Sequence, residues 1–372
     1  MVEWKKLGEI AEITIGEFVH KNKQNPNGKY PVYNGGIAPT GFYDNYNNTE
    51  NKIVISARGA TAGFVNMVLC KYWAGNSSYS IDVHPILSSW LFVFYYLKSY
   101  QSKLISDQQK GGGIPSISKK QVQDILIPIP SLDEQNRIVG ILDTFTSSID
   151  NLKQQIAQRR KQYEYYRDQL LDLEGKEGVE MKTLKDVFDT RNGYTPSTSN
   201  SQFWDDGIIP WFKMEDIRDN GRILNDSNLH ITTSAIKGKG LFKANSIILA
   251  TSATIGEHAL ITVEHLSNQR FTNFYPKEYY LNIINMKFVY YYMYRIDEWC
   301  KQHINQGGFA SVDMGGLYNL EIPIPSLQEQ QRIVSILDTF EASIQNLEAQ
   351  LSQREKQYEY YRNKLLTYDR NG

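Results

Sequence analysis

The chain is predicted to be a mixed α/β (α+β) protein: two lobes alternate with two long helices that form an antiparallel, intramolecular coiled coil, with approximate two-fold symmetry. Three observations carry this. Residues 127–171 recur at 322–366, 195 positions later, without a gap and with 32 of 45 positions identical. Within each copy the apolar residues step alternately by four and three, the 3.5-residue period of a coiled coil. The stretches before the two copies are diverged versions of one another, in which β-branched runs end in Gly, Ser, Thr and Ala.

In chain order, residues 1–126 form the first lobe, 127–177 the first repeat, 178–321 the second lobe and 322–372 the second repeat. The lobes match at Trp4-Lys-Lys-Leu7 and Met181-Lys-Thr-Leu184, each followed by a glycine, Gly16 or Gly193. Gly28-Lys-Tyr-Pro31-Val-Tyr33 matches Gly207-Ile-Ile-Pro210-Trp-Phe212. Read along these matches, the second lobe has Thr251-Ser252 where the first has Arg58-Gly59. An aromatic helical stretch follows in each lobe (88–105 and 281–304), then a glycine cluster (Gly111–Gly113, Gly307–Gly308) and a short strand.

Each repeat opens with Ile-Pro-Ile-Pro-Ser-Leu (127–132 and 322–327). The prolines exclude a helix there and favour an extended lead-in. Ser131 with Glu134, and Ser326 with Glu329, read as capping boxes. The seam then runs through Ile138, Leu142, Phe145, Ile149, Leu152, Ile156, Arg159, Tyr163, Tyr166 and Leu170, and through the equivalent residues from Ile333 to Leu365. Each helix should span about 40 residues, roughly 60 Å. Alone such a seam would face water, so each helix needs a partner, and the other copy is the obvious one. The second lobe begins just after the first helix and ends just before the second; those two helix ends must lie close, and the helices run antiparallel. Arg159 and Arg354 read as solvent-reaching seam residues or as polar residues that set register. Tyr163, Tyr165, Tyr166, Tyr358, Tyr360 and Tyr361 read as seam and flank packing, with a partner-protein surface as the alternative.

Composition narrows the chemistry. The formal net charge is −1, but residues 1–127 carry 13 Lys and Arg against 9 Asp and Glu, whereas residues 181–321 carry 14 against 15. A polyanion partner must therefore be met by local patches. Cys70 and Cys300 lack metal-ligand spacing and suit a reducing cytoplasm. The N-terminus has no apolar signal region, and the longest apolar runs are too short and Tyr-rich for a membrane span, so a cytoplasmic chain is expected. No phosphate-binding G-x-x-x-x-G-K-[ST] loop occurs, nor an Asn/Asp-Pro-Pro-aromatic quartet of amino-methyltransferases, nor a nuclease-like acidic cluster. The six histidines show no metal pairing, and His258 and His265 read as solvated or satisfied core residues. A chain without catalytic residues or cofactors of its own is the expectation.

What remains is recognition. Loops at strand ends carry Asn34, Arg58, Thr61, Asn76, Ser77, Ser78, Lys110, Lys119 and Lys120 in the first lobe, and Lys213, Thr251, Ser252, Gln269 and Arg270 in the second. Arg, Lys, Asn and Gln read base edges, and Ser and Thr satisfy phosphates, so these are the candidate DNA contacts.

The two Ile-Pro-Ile-Pro-Ser-Leu-x-Glu-Gln-x-Arg-Ile-Val segments (127–139 and 322–334), their heptads, the Ser-Ala-Arg-Gly-Ala-Thr-Ala-Gly loop at 56–63 and the Gly-Gly-Gly-Ile-Pro-Ser-Ile run at 111–117 resemble the specificity subunit of Type I restriction-modification systems over essentially the whole chain. The resemblance implies two target-recognition domains, each reading one half of a bipartite, asymmetric site in double-stranded DNA, with helices that set the spacer. It further implies two modification subunits, which hold S-adenosylmethionine and methylate adenine, docked on the helices, and two restriction subunits that use ATP and magnesium. Two other readings are an adaptor whose coiled coil joins two proteins, and a fused methyltransferase with unfamiliar motifs.

Overall fold

The computed structural model describes residues 2–106, 113–305 and 310–368. Both repeats are single helices, Leu132–Leu170 and Leu327–Leu366. By contact the chain divides into two compact units: Met1–Gln155 with Leu347–Gly372, and Ile156–Asn346. Each unit therefore holds one lobe, the start of one long helix and the end of the other.

Inside each unit the helix segments run antiparallel. In the first, Phe145 stacks on Tyr361 at 5.4 Å, Arg354 lies over the Phe145 ring, and Lys153 pairs with Glu355. In the second, Phe340 stacks on Tyr166 at 5.4 Å and Arg159 lies over the Phe340 ring. Both seam arginines thus hold their guanidinium groups over a phenylalanine of the opposing helix, at 5.7 Å and 5.9 Å, a cation–π use of a polar seam position. Ser131 and Ser326 cap the helices by accepting the Glu134 and Glu329 N–H groups. Both carboxylate oxygens of each glutamate accept from the Arg three residues on, Arg137 or Arg332.

The extended lead-ins become strands. Leu126–Ile129 pairs antiparallel with Glu3–Lys6, and Glu321–Ile324 with Glu180–Thr183. The first lobe has a four-stranded antiparallel sheet in the order Ala11–Ile15, Ser78–Val83, Lys52–Ser56, Val65–Val68. The second repeats this order with Phe188–Asn192, Phe271–Pro276, Ser246–Ala250 and His258–Ile261, and adds Ile223–Leu224 as a parallel edge. One face of each sheet is covered by an aromatic helix, Trp90–Ser99 or Met286–Gln302. Alternation explains why: in the second lobe Ile247, Leu249 and Phe274 face that helix, while Ile248, Ala250 and Phe271 form a second core on the opposite face.

The repeats are bonded to their lobes by residues identical in both copies. Gln135 is buried; its Oε1 accepts from the Ser89 N–H and its Nε2 donates to the Pro130 carbonyl. Gln330 does the same with Asn285 and Pro325. Asp143 accepts from the Tyr95 hydroxyl and Asp338 from the Tyr291 hydroxyl at 2.6 Å. The copies differ where the first has Thr146 and the second Glu341. Glu341 accepts from both Tyr163 and Tyr291, and burial pushes its carboxyl above the usual range.

The second lobe carries a pH-dependent element. His265 is fully buried against Phe212 and Phe242, and its Nδ1–H donates to the Val263 carbonyl at 2.9 Å. Burial pushes the imidazole down from 6.5 to about 4. The unfolded chain therefore takes up a proton near pH 6.5 that the folded lobe refuses. The stability present above 6.5 is lost as pH falls toward 4, in total about 3 kcal/mol. Thermal unfolding followed between these pH values should show that loss in the wild-type chain and a flatter profile in His265→Phe.

Candidate nucleic-acid interface

Backbone hydrogen bonds place the loops of the two lobes in register. Ser56 O accepts from Gly63 N–H at 2.7 Å, as Ala250 O does from Gly256 N–H at 3.1 Å. Ala57 N–H donates to Ser77 O and Thr251 N–H to Arg270 O; Ile117 and Val312 return the bonds to Ala57 O and Thr251 O. Arg58 bridges to Ser116 and Ser252 to Ser311. The gapless match of Arg58-Gly59 with Thr251-Ser252 is thus corrected by one residue: Ala57 corresponds to Thr251 and Arg58 to Ser252. The cause is a turn one residue shorter in the second lobe. Gly59 (φ +100°) and Ala253 (φ +65°) enter it, and Gly63 (φ +90°) and Gly256 (φ +75°) leave it.

Backbone hydrogen bonds set the other loops in register too. Gly75 N–H donates to Tyr33 O and Asn268 N–H to Phe212 O, so Asn34 corresponds to Lys213, Asn76 to Gln269 and Ser77 to Arg270. Four positions named from sequence in one lobe coincide with four named in the other, although no pair is identical. Each set lies on one rim. In the first lobe Asn34 Oδ1 accepts from the Ser77 N–H at 3.0 Å, and a Cβ on Gly35 would come 3.1 Å from the Arg58 carbonyl, so three loops converge. In the second, Asn268 Oδ1 takes over the role of Asn34 and accepts from the Arg270 N–H at 3.0 Å.

Exposure sorts the candidates. Arg58, Asn76, Lys119, Lys120, Gln269 and Arg270 are exposed, while Asn34, Thr61, Ser77, Lys213 and Ser252 are half-buried. Ser78 and Thr251 are buried and face inward: Ser78 Oγ accepts from the Gly35 N–H, and the Thr251 hydroxyl meets that of Thr272. Gln269 accepts from the Thr195 hydroxyl. Arg58, Lys213 and Arg270 form no ion pair among the described residues, which leaves their charge available to an anion. Lys119 and Lys120 open the short helix Lys119–Gln123, capped by Ser118; the matching helix Met314–Asn319 has Met314 and Gly315 there. Lys110 lies outside the described residues. Loop register was the missing signal in the sequence, since only backbone bonding reveals it.

Of the six tyrosines, Tyr163 and Tyr358 turn inward, and Tyr163 donates to Glu341 Oε1 at 3.0 Å. Tyr165 and Tyr360 are 61% and 60% exposed, and Tyr166 and Tyr361 remain exposed while stacking on Phe340 and Phe145. Glu164, Glu359, Lys161 and Lys356 are exposed beside them, so the two units display the same side chains in the same order. Among the described residues no group of three or more His, Cys, Asp or Glu is placed to hold a metal ion, and no helix is long and apolar enough to cross a membrane.

Comparison with known proteins agrees with this architecture. Residues 1–159 and 176–355 each match the model of the Type I restriction modification DNA specificity domain. Over 99% of this chain and 94% of the relative, the sequence is 34% identical to the Type I restriction enzyme EcoR124I/EcoR124II specificity subunit of Escherichia coli. It is 50% identical to the EcoprrI specificity subunit of Escherichia coli over 55% of this chain and 53% of that one. The crystal structure of a Type I restriction-modification system S subunit from M. genitalium shares the fold with a TM-score of 0.63 at 19% identity, covering 99% of this chain and 97% of the other.

Proposed function

The chain belongs to the family of Type I restriction-modification specificity subunits, and on that premise we propose how its residues divide the work of DNA recognition. Residues 1–126 and 178–321 act as two target-recognition domains, each reading one half of a bipartite, asymmetric site. Arg58, Asn76, Gln269 and Arg270 reach base edges; Lys119, Lys120 and Lys213 hold phosphates. The observation that supports this is the coincidence of the two rims: loops with different sequences present polar, ion-pair-free side chains at equivalent backbone positions. That is the pattern expected of one reading frame used on two targets.

The repeats serve a constant partner. Tyr165, Tyr166, Tyr360 and Tyr361, with the lysines and glutamates beside them, form two equivalent surfaces for two modification subunits. Aromatic residues supply contact area at low entropic cost. The helices set the unread spacer. S-adenosylmethionine, ATP and magnesium belong to the modification and restriction subunits, and the complex works in the cytoplasm.

Exchanging residues 1–126 for the homologous lobe of a subunit with another target, then mapping methylated bases in the host genome, tests the division. One half of the methylated site should change while the other half and the spacer stay. If both halves stayed as in the wild type, the lobes would not be independent readers.

A further inference from the structure

A groove on the sheet face away from the aromatic helix occurs in both lobes with opposite charge. In the first lobe it has a volume of about 290 Å³ and is lined by Glu12, Glu17 and Asp82, with Lys52 as its cation. Lys52 is ion-paired with Asp82. In the second lobe the groove has a volume of about 410 Å³ and is lined by Arg191, Lys239 and Lys243 against a single carboxylate, Asp189. Strand register makes these the same place: Glu12 pairs with Asp82 across one ladder as Asp189 pairs with Tyr275 across the other.

The second-lobe cations are arranged for an outside ligand. Arg191 donates to the Gly240 carbonyl at 2.8 Å and lies 4.2 Å over the Phe242 ring, so its guanidinium is fixed without a carboxylate partner among the described residues. Lys239 and Lys243 are exposed, and neither forms an ion pair among the described residues. The segment that carries them, between Thr233–Ala235 and Ser246–Ala250, packs Phe242 on His265. The groove also adjoins the rim. Asn273, which pairs with Arg191 across the ladder, lies three residues along the chain from the rim residue Arg270.

We propose that this groove is a phosphodiester-binding site of the second lobe, in which Arg191, Lys239 and Lys243 hold the backbone of the duplex whose bases the rim reads. The proposal rests on the reading of the lobes as DNA-binding domains. The rims distribute their cations differently: the first lobe carries Arg58, Lys119 and Lys120 where the second has Ser252, Met314 and Gly315, and the second carries Lys213 and Arg270 where the first has Asn34 and Ser77. In the second lobe the groove adds phosphate contacts to the one at Lys213. The first lobe, with Glu12, Glu17 and Asp82 in its groove, makes none there.

The test uses the full chain in its assembled complex and a labelled mixed-sequence duplex, with affinity measured as salt rises from about 50 to 200 mM. Lys239→Gln/Lys243→Gln should lower the slope of log affinity against log salt by about 2, since each phosphate contact contributes about 0.9. Its methylated sequence and its unfolding midpoint should stay unchanged. An unchanged slope, in a complex where Lys213→Gln lowers it, would overturn the groove and leave the DNA reading intact. Failure of the wild-type complex to bind duplex at all would overturn both. Titration with inorganic phosphate separates a free anion from a backbone. If phosphate bound the groove while the double variant kept its slope, the groove would be an anion site unrelated to the duplex, and the proposal would fall.

Discussion

Gly16→Ala and Gly193→Ala should each destabilise the lobe that carries them by about 3 kcal/mol, the upper part of the range for overpacking. The reason is space. A Cβ on Gly16 would sit 2.2 Å from the Ala74 carbonyl oxygen, and one on Gly193 2.2 Å from that of Ser267. Neither carbonyl can retreat, because Ala74 O accepts from the Glu17 N–H and Ser267 O from the Tyr194 N–H, both at 2.8 Å. The glycines themselves donate to Ser78 O and Phe271 O, so at each glycine the large sheet meets, backbone to backbone, a three-stranded sheet: Gly41–Tyr43, Tyr30–Tyr33 and Trp73–Ala74 in the first lobe, His230–Ile231, Ile209–Phe212 and Leu266–Ser267 in the second. Gly59→Ala is the contrasting case: nothing lies within 4 Å of its Cβ, and only the left-handed φ of +100° is penalised, by about 1 kcal/mol. Thermal unfolding with lobe-resolved proteolysis reads both numbers. A Gly16→Ala chain as stable as Gly59→Ala would mean that the sheets do not meet at this glycine.

Those two glycines were legible in the sequence because they are among the few identities between the lobes. The helices were legible for a different reason: a 3.5-residue period sustained over ten seam positions has no competing explanation. Antiparallel pairing followed from connectivity, and Phe145 with Tyr361 and Phe340 with Tyr166 bear it out within each unit. The loop register was not legible. Ile53–Ser56 and Ile247–Ala250 are both β-branched runs that can slide, and a single-residue difference in the following turn leaves no trace in composition. The equivalences of Asn34 with Lys213 and Ser77 with Arg270 were hidden too, since those side chains differ while their backbone bonds agree. Nor could spacing show that His258 faces Asp297, 39 residues away on another element.

That pairing sets the other large effect. Asp297→Ala should destabilise the second lobe by about 3 kcal/mol, because it leaves the buried His258 Nδ1–H without an acceptor and takes the carboxylate from the partly buried Arg222. Asp297 is 2% exposed, and its Oδ2 accepts from His258 Nδ1 at 2.7 Å and from an Arg222 terminal nitrogen at 3.2 Å. His258 is fully buried, its ring edge-on to Tyr290 and Tyr294. Without the carboxylate, the buried His258 Nδ1–H loses its acceptor, while Arg222 keeps the His258 carbonyl at 3.4 Å. Asp297→Asn keeps an oxygen for the His258 N–H and should lose less. The first lobe shows an alternative without a carboxylate: at the equivalent positions Gln101 Oε1 accepts from the Val65 N–H and the Lys98 ammonium, both at 2.9 Å. His258→Val combined with Asp297→Gln should therefore cost less than the sum of the single changes, because both act on one network. A strictly additive double variant in thermal unfolding would show that the two side chains contribute independently.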